Sequence, residues 1–192
     1  MAETPNEGST AEGLFSFLSR RRFLKASLVA GGAVLGVGGG GLLALRGSAP
    51  SVEGLRVLDA HEYRTLRSLV EVMLPTTEAI PVDVAPMDLP RAFDDFLANE
   101  PAQNVKDLQR ALVLIEFGPL VFDKRLSSFS RLEPAERAMH WQQWALSDNL
   151  LRRQVSVAMR KFFNLVYFDQ PEVWPHIGYP GPSMKRAGSV SP

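Results

Sequence analysis

The chain has 192 residues, 21 Lys and Arg against 21 Asp and Glu for a formal net charge of zero, 45% apolar residues and no cysteine. The absence of thiols excludes a disulfide scaffold, a thiolate zinc site, an iron-sulfur cluster and a c-type haem attachment, and leaves stability to packing. Five basic and three acidic groups fall in the first 49 residues, so the rest holds 16 and 18, a net of minus two, which gives no electrostatic footprint for nucleic acid.

Residues 1–18 are small and polar and are expected to be disordered. The next seven, Ser19-Arg20-Arg21-Arg22-Phe23-Leu24-Lys25, precede an uncharged, glycine-studded apolar run over residues 26–45. They resemble the twin-arginine export signal, whose pattern Ser/Thr-Arg-Arg-x-Phe-Leu-Lys is filled at every specified position: Ser19, Arg20, Arg21, Phe23, Leu24 and Lys25. The resemblance implies recognition by the twin-arginine translocon, which moves proteins already folded. A basic triplet before some twenty apolar residues is also how a membrane anchor begins, although the glycines lower both hydrophobicity and helix propensity. Gly47-Ser48-Ala49 offers small residues for a cleavage site, with Pro50 after the cut. The expected location is periplasmic, with membrane association where the signal stays uncleaved.

Residues 48–57 read as a short linker, and the remainder suits one domain, since single domains commonly run to about 100–150 residues. Asp59 and Glu62 form a capping box at the start of a helix whose stripe is Tyr63, Leu66, Val70 and Met73. Pro75 ends it and opens a proline-rich loop. A second helix starts near Asp88, with Pro90 in its first turn and Phe93, Phe96 and Leu97 inward. A third follows Pro101 through Val105, Leu108, Leu112 and Ile115 until Gly118-Pro119. Residues 120–132 are mixed, with Val121, Phe122, Leu126 and Phe129 expected inside. Glu133-Pro134-Ala135-Glu136 begins a helix that leads to Met139, Trp141, Trp144 and Ala145. The last and longest helix is capped by Ser147 or Asp148 and faces inward through Leu151, Val155, Ala158, Phe162 and Leu165. No stretch alternates with period two for long. The expected fold is mainly α, a small irregular bundle of about five helices with an extended proline- and aromatic-rich C-terminal segment, divided as residues 1–49, 50–182 and a disordered tail, 183–192.

That C-terminal segment holds Trp174, Tyr179 and Pro180 among four prolines and two glycines. Prolines limit its conformational freedom, so it can present aromatic side chains at low ordering cost. It either folds back over the core or forms an interface, and both roles can coexist.

His61-Glu62-Tyr63-Arg64-Thr65-Leu66, Met73-Leu74-Pro75-Thr76-Thr77, Phe162-Phe163 and Ile177-Gly178-Tyr179-Pro180-Gly181-Pro182 together resemble the small gamma subunit of gluconate 2-dehydrogenase and its relatives, over nearly the whole body. The resemblance implies a helical, non-catalytic subunit that carries the twin-arginine signal. It would bind a large FAD-containing flavoprotein of the glucose-methanol-choline oxidoreductase class, often beside a membrane cytochrome c. FAD would lie on the partner and no cofactor on this chain. One signal would then export two chains, the subunit acting as escort and as an aid to maturation. Such an interface needs a contact well above ~1,000 Å², and Trp174 and Tyr179, then Trp141 and Trp144, are the anchor candidates by residue type. The alternative is a membrane-tethered helical binding or structural domain acting without a flavoprotein.

Catalytic patterns are weak. His61, His140 and His176 lie in separate segments without metal-ligand spacing and are expected at the surface or at caps. Asp94, Asp95, Glu133 and Glu136 are expected on solvated faces or at a helix start. No Gly-x-Ser-x-Gly elbow or phosphate loop occurs.

Overall fold

The computed structural model describes residues 47–182. The residues expected to form a disordered N-terminus, an export signal with its apolar run, and a disordered tail at 183–192 lie outside that range. Seven helices are present among the described residues: α1 (Ala60–Met73), α2 (Leu89–Leu97), α3 (Ala102–Glu116), α4 (Gly118–Asp123), α5 (Pro134–Ala145), α6 (Leu150–Tyr167) and α7 (Trp174–Ile177), with 3-10 turns at Ala85–Met87 and Phe129–Arg131. No described residue is in a strand. The two helices beyond the expected five are short, six and four residues.

Local chemistry sets most boundaries. Asp59 accepts from the N–H groups of His61 and Glu62 at 2.8 and 2.7 Å, while Glu62 accepts from Asp59 N–H at 2.8 Å. This capping box satisfies donors that a helix start leaves open. At α2 the turn is made by Asp88 with a positive φ of 37°, a left-handed angle costly for a residue with a Cβ. Tyr63 donates to one of its carboxylate oxygens at 2.6 Å and Arg91 to the other at 3.2 Å, which holds the turn. Pro134 fills the first position of α5, where a missing N–H costs nothing.

The cap of α6 differs from expectation. Asn149, not Ser147 or Asp148, accepts from Leu151 and Arg152 N–H at 3.0 and 3.3 Å, and Ser147 instead accepts from Asn149 N–H. Asn149 has the extended backbone that an N-cap requires.

The core lies where α2 and α6 cross and where α5 packs along α6. Phe93 stacks on Phe162 at 4.8 Å and meets Phe163 at 4.5 Å, with Phe96 edge-on to Phe162 at 5.4 Å. Leu66, Leu69, Leu108, Leu112 and Ile115 close it from α1 and α3. Three apolar residues expected inside or on the inner path are exposed: Leu126 at 80%, Met139 at 57% and Leu165 at 47%. The inner stripe of α6 is Val155, Met159, Phe162, Phe163 and Val166; at about 100° per residue, Leu165 falls roughly 120° from Met159. Leu126 sits in the loop after Lys124 ends α4 with a left-handed φ of 55°.

Residues 48–57 are not a free linker. Ser48 carbonyl accepts from Arg64 at 2.8 Å, Glu53 carbonyl accepts from Arg91 at 2.9 Å, and the N–H groups of Arg56, Val57 and Leu58 all donate to the Asp94 carboxylate at 2.6–3.0 Å. The C-terminal segment is not extended either. It turns at residues 169–173, makes the single turn α7, and stops at Gly178 with φ 68°.

Candidate functional site

The C-terminal aromatic surface grows from one buried anchor. Val173 is fully buried in the core, and Gln170 side-chain N–H donates to Val166 carbonyl at 2.8 Å, so the chain leaves α6 and folds back at once. Trp174 indole N–H donates to Phe168 carbonyl at 3.0 Å. Tyr179 N–H returns to Trp174 carbonyl at 3.0 Å, and the two rings meet edge to face at 5.5 Å. Gly181, at φ 95°, passes so close that a Cβ there would lie 3.2 Å from the Trp174 ring. The result is a fixed pair: Trp174 half-buried, Tyr179 exposed at 44% and Pro180 exposed beside it. The segment therefore lays one side on the core and turns the other outward.

Trp141 and Trp144 are elsewhere. Trp144 is fully buried and Trp141 nearly so, stacked at 5.5 Å, so these two anchor candidates are corrected to core residues, with only an edge of Trp141 reaching an open cleft. The reason is that the inner face of α5 packs along α6 and the indole of Trp144 finds an internal acceptor: its N–H donates to His140 Nε2 at 3.0 Å.

That contact fixes the state of His140, which is buried rather than at the surface. With Nε2 accepting, the proton sits on Nδ1, which donates to Asp123 at 2.5 Å. Burial lowers its affinity for a second proton, outweighing the pull of Asp123 in the opposite direction. Gly118 makes room for this pair, since a Cβ there would stand 2.8 Å from the Trp144 ring and 2.9 Å from His140 Nε2. Arg152 caps the cluster, its guanidinium 4.9 Å from the Phe122 ring centre and 5.5 Å from that of Trp144. An imidazole with both nitrogens committed is a poor general base. The Asp123-His140-Trp144 chain joins α4 to α5.

Two further buried carboxylates hold elements together. Asp94, expected on a solvated face, is completely buried and gathers the three N–H groups of residues 56–58. Glu116 accepts from Thr65 hydroxyl at 3.1 Å and from Ser130 hydroxyl and N–H at 2.6 and 3.1 Å, with the Arg64 guanidinium 3.5 Å away. Arg137 ties Glu71 of α1 to the carbonyls of Leu132 and Ser130. Asp94 carried a weak sequence signal, lying next to inward Phe93; its partners, 36–38 residues earlier, carried none.

Open clefts also lie among the described residues. One, of about 480 Å³, lies between α1 and the proline-rich loop, lined by Tyr63, Arg67, Asp83 and Asp88 among others. Another, of about 450 Å³, has Met73, Trp141 and Phe163 in its wall and Arg160 at its edge. Among the described residues no group of three or more His, Cys, Asp or Glu side chains could hold a metal ion, and no described helix is long and apolar enough to cross a membrane. No family model, curated protein or solved structure matches the chain.

Proposed function

We propose that this chain is the non-catalytic small subunit of a periplasmic FAD-dependent dehydrogenase of the glucose-methanol-choline class, acting on sugars, sugar acids or other alcohols. It binds the flavoprotein in the cytoplasm and carries it through the twin-arginine translocon on its own signal, aiding maturation of the partner on the way. The observation that carries this is the complete motif Ser19-Arg20-Arg21-Arg22-Phe23-Leu24-Lys25 ahead of an uncharged run. A folded-protein exporter suits a chain that travels bound to a cofactor-loaded partner. The outward Trp174-Tyr179 pair supports the binding half of the proposal, because rigid aromatic groups anchor interfaces at low entropic cost.

The test is co-expression of this chain with the flavoprotein it would escort. Replacing Arg20 and Arg21 together by Lys should strand both proteins in the cytoplasm, measured as flavin absorbance and enzyme activity lost from the periplasmic and membrane fractions. A flavoprotein exported unchanged beside the double variant would refute the escort role.

A further inference from the structure

We infer that the export signal is not removed after delivery and that the folded body itself prevents its removal. The inference rests on the export reading above. Gly47-Ser48-Ala49 provides the small residues that a signal peptidase selects, and cleavage would hydrolyse the Ala49–Pro50 peptide bond. Proteases act on backbone that is exposed and free to be drawn out, so the hydrogen bonding of the flanking residues decides accessibility. Here the flanks are committed on both sides.

On the upstream side the Ser48 carbonyl accepts from Arg64 Nη1 at 2.8 Å. Arg64 is itself braced, with Nη2 3.2 Å from His61 Nδ1 and 3.5 Å from the buried carboxylate of Glu116. On the downstream side Glu53 carbonyl is held by Arg91, Leu58 is buried, and residues 56–58 are fastened to Asp94. The scissile bond thus lies one residue from one fastening and three from the next. Residues 50–53 span at most about 14 Å fully extended, so although Pro50 and Ser51 are exposed, only a short stretch between the two fastenings can be drawn into a protease groove.

The export route makes this matter. An exporter of unfolded chains would present the site before any fastening forms, whereas a twin-arginine substrate arrives with its body folded and the segment already fixed. Residues 26–45 form an uncharged apolar run of spanning length. Only Arg46 and Gly47 separate Leu45 from Ser48, three Cα steps or about 10 Å at full extension. A retained signal would therefore hold the body directly against the bilayer, on a tether too short to swing.

Pro50 after the cut is a competing cause of resistance, so the experiment separates the two. The full chain is expressed with its flavoprotein and its intact mass is read after fractionation, with exposure of the body checked by protease added to spheroplasts. Wild type and Pro50→Ala should both keep residues 1–49 and stay with the membrane through a carbonate wash. A variant with Gly-Ser-Ala and ten further Gly/Ser residues inserted between Arg46 and Gly47, leaving the native fastenings intact, should be cut after the inserted Ala and become soluble. Wild type or Pro50→Ala beginning at residue 50, or an inserted site left uncut, would overturn the inference while the export reading stands. A body protected from protease in spheroplasts would sink both.

Discussion

Single residues show most sharply where charge and polarity are structural in this chain. His140 is neutral in the fold, with Nδ1–H given to Asp123 and Nε2 taken by Trp144, and burial holds its proton affinity below the ordinary value of 6.5. The unfolded chain therefore binds more protons than the folded one below that pH. Its contribution to stability is intact above about 6.5 and is lost as pH falls through that value toward the lower folded one. Thermal melts between pH 7.5 and 5 should show a falling Tm in the wild type and a flatter profile in His140→Gln, taken relative to each protein's own Tm at pH 7.5; equal slopes would place the acid sensitivity elsewhere. Asp94 is the second case. Asp94→Asn would turn an amide N–H₂ toward backbone N–H groups that now share a carboxylate, and should lower unfolding stability by roughly 2–4 kcal/mol, read from the urea midpoint. The partners of neither were legible from sequence. Asp94 precedes Asp95 in what looks like a charged helix face, and its three partners come from a stretch with no regular structure; likewise nothing local says that the His at i and the Trp at i+4 turn inward together.

At the level of elements, the sequence was most legible where short-range chemistry decides. The Asp59-Glu62 box, the prolines at 90, 101 and 134 and the break at Gly118-Pro119 mark helix limits that the structure reproduces. Legibility failed where a choice among neighbours depended on packing: Asn149 over Ser147 or Asp148 as cap, Val166 over Leu165 as inner residue, and a closed turn over an extended C-terminal segment. Because α6 supplies Phe162 and Phe163 to the core, its cap should matter to the whole domain. Asn149→Ala should cost about 1 kcal/mol while Asn149→Asp stays near wild type, and equilibrium urea unfolding of the two variants distinguishes a capping role from a solvent-facing one.

For the molecule as a whole, helical architecture and one continuous core follow from patterning, while the surface that meets a partner depends on which aromatics the fold leaves outside. Four were candidates by residue type; packing withdrew Trp141 and Trp144 and left Trp174 and Tyr179 accessible. Replacing Trp174 and Tyr179 together by Ala should reduce co-purification of the flavoprotein at least tenfold, with helical circular dichroism unchanged because Val173, the buried anchor, is kept. Undiminished co-purification would move the interface to another face. The three N–H groups at 56–58 find their acceptor 36–38 residues ahead in α2, so their fastening requires closure of a long loop around an assembled helix. In an unfolded chain the stretch behind the apolar run is free; in the folded chain it is held at Ser48, Glu53 and residues 56–58. On the export reading proposed above, the join between signal and body would therefore be fixed only once the body has folded.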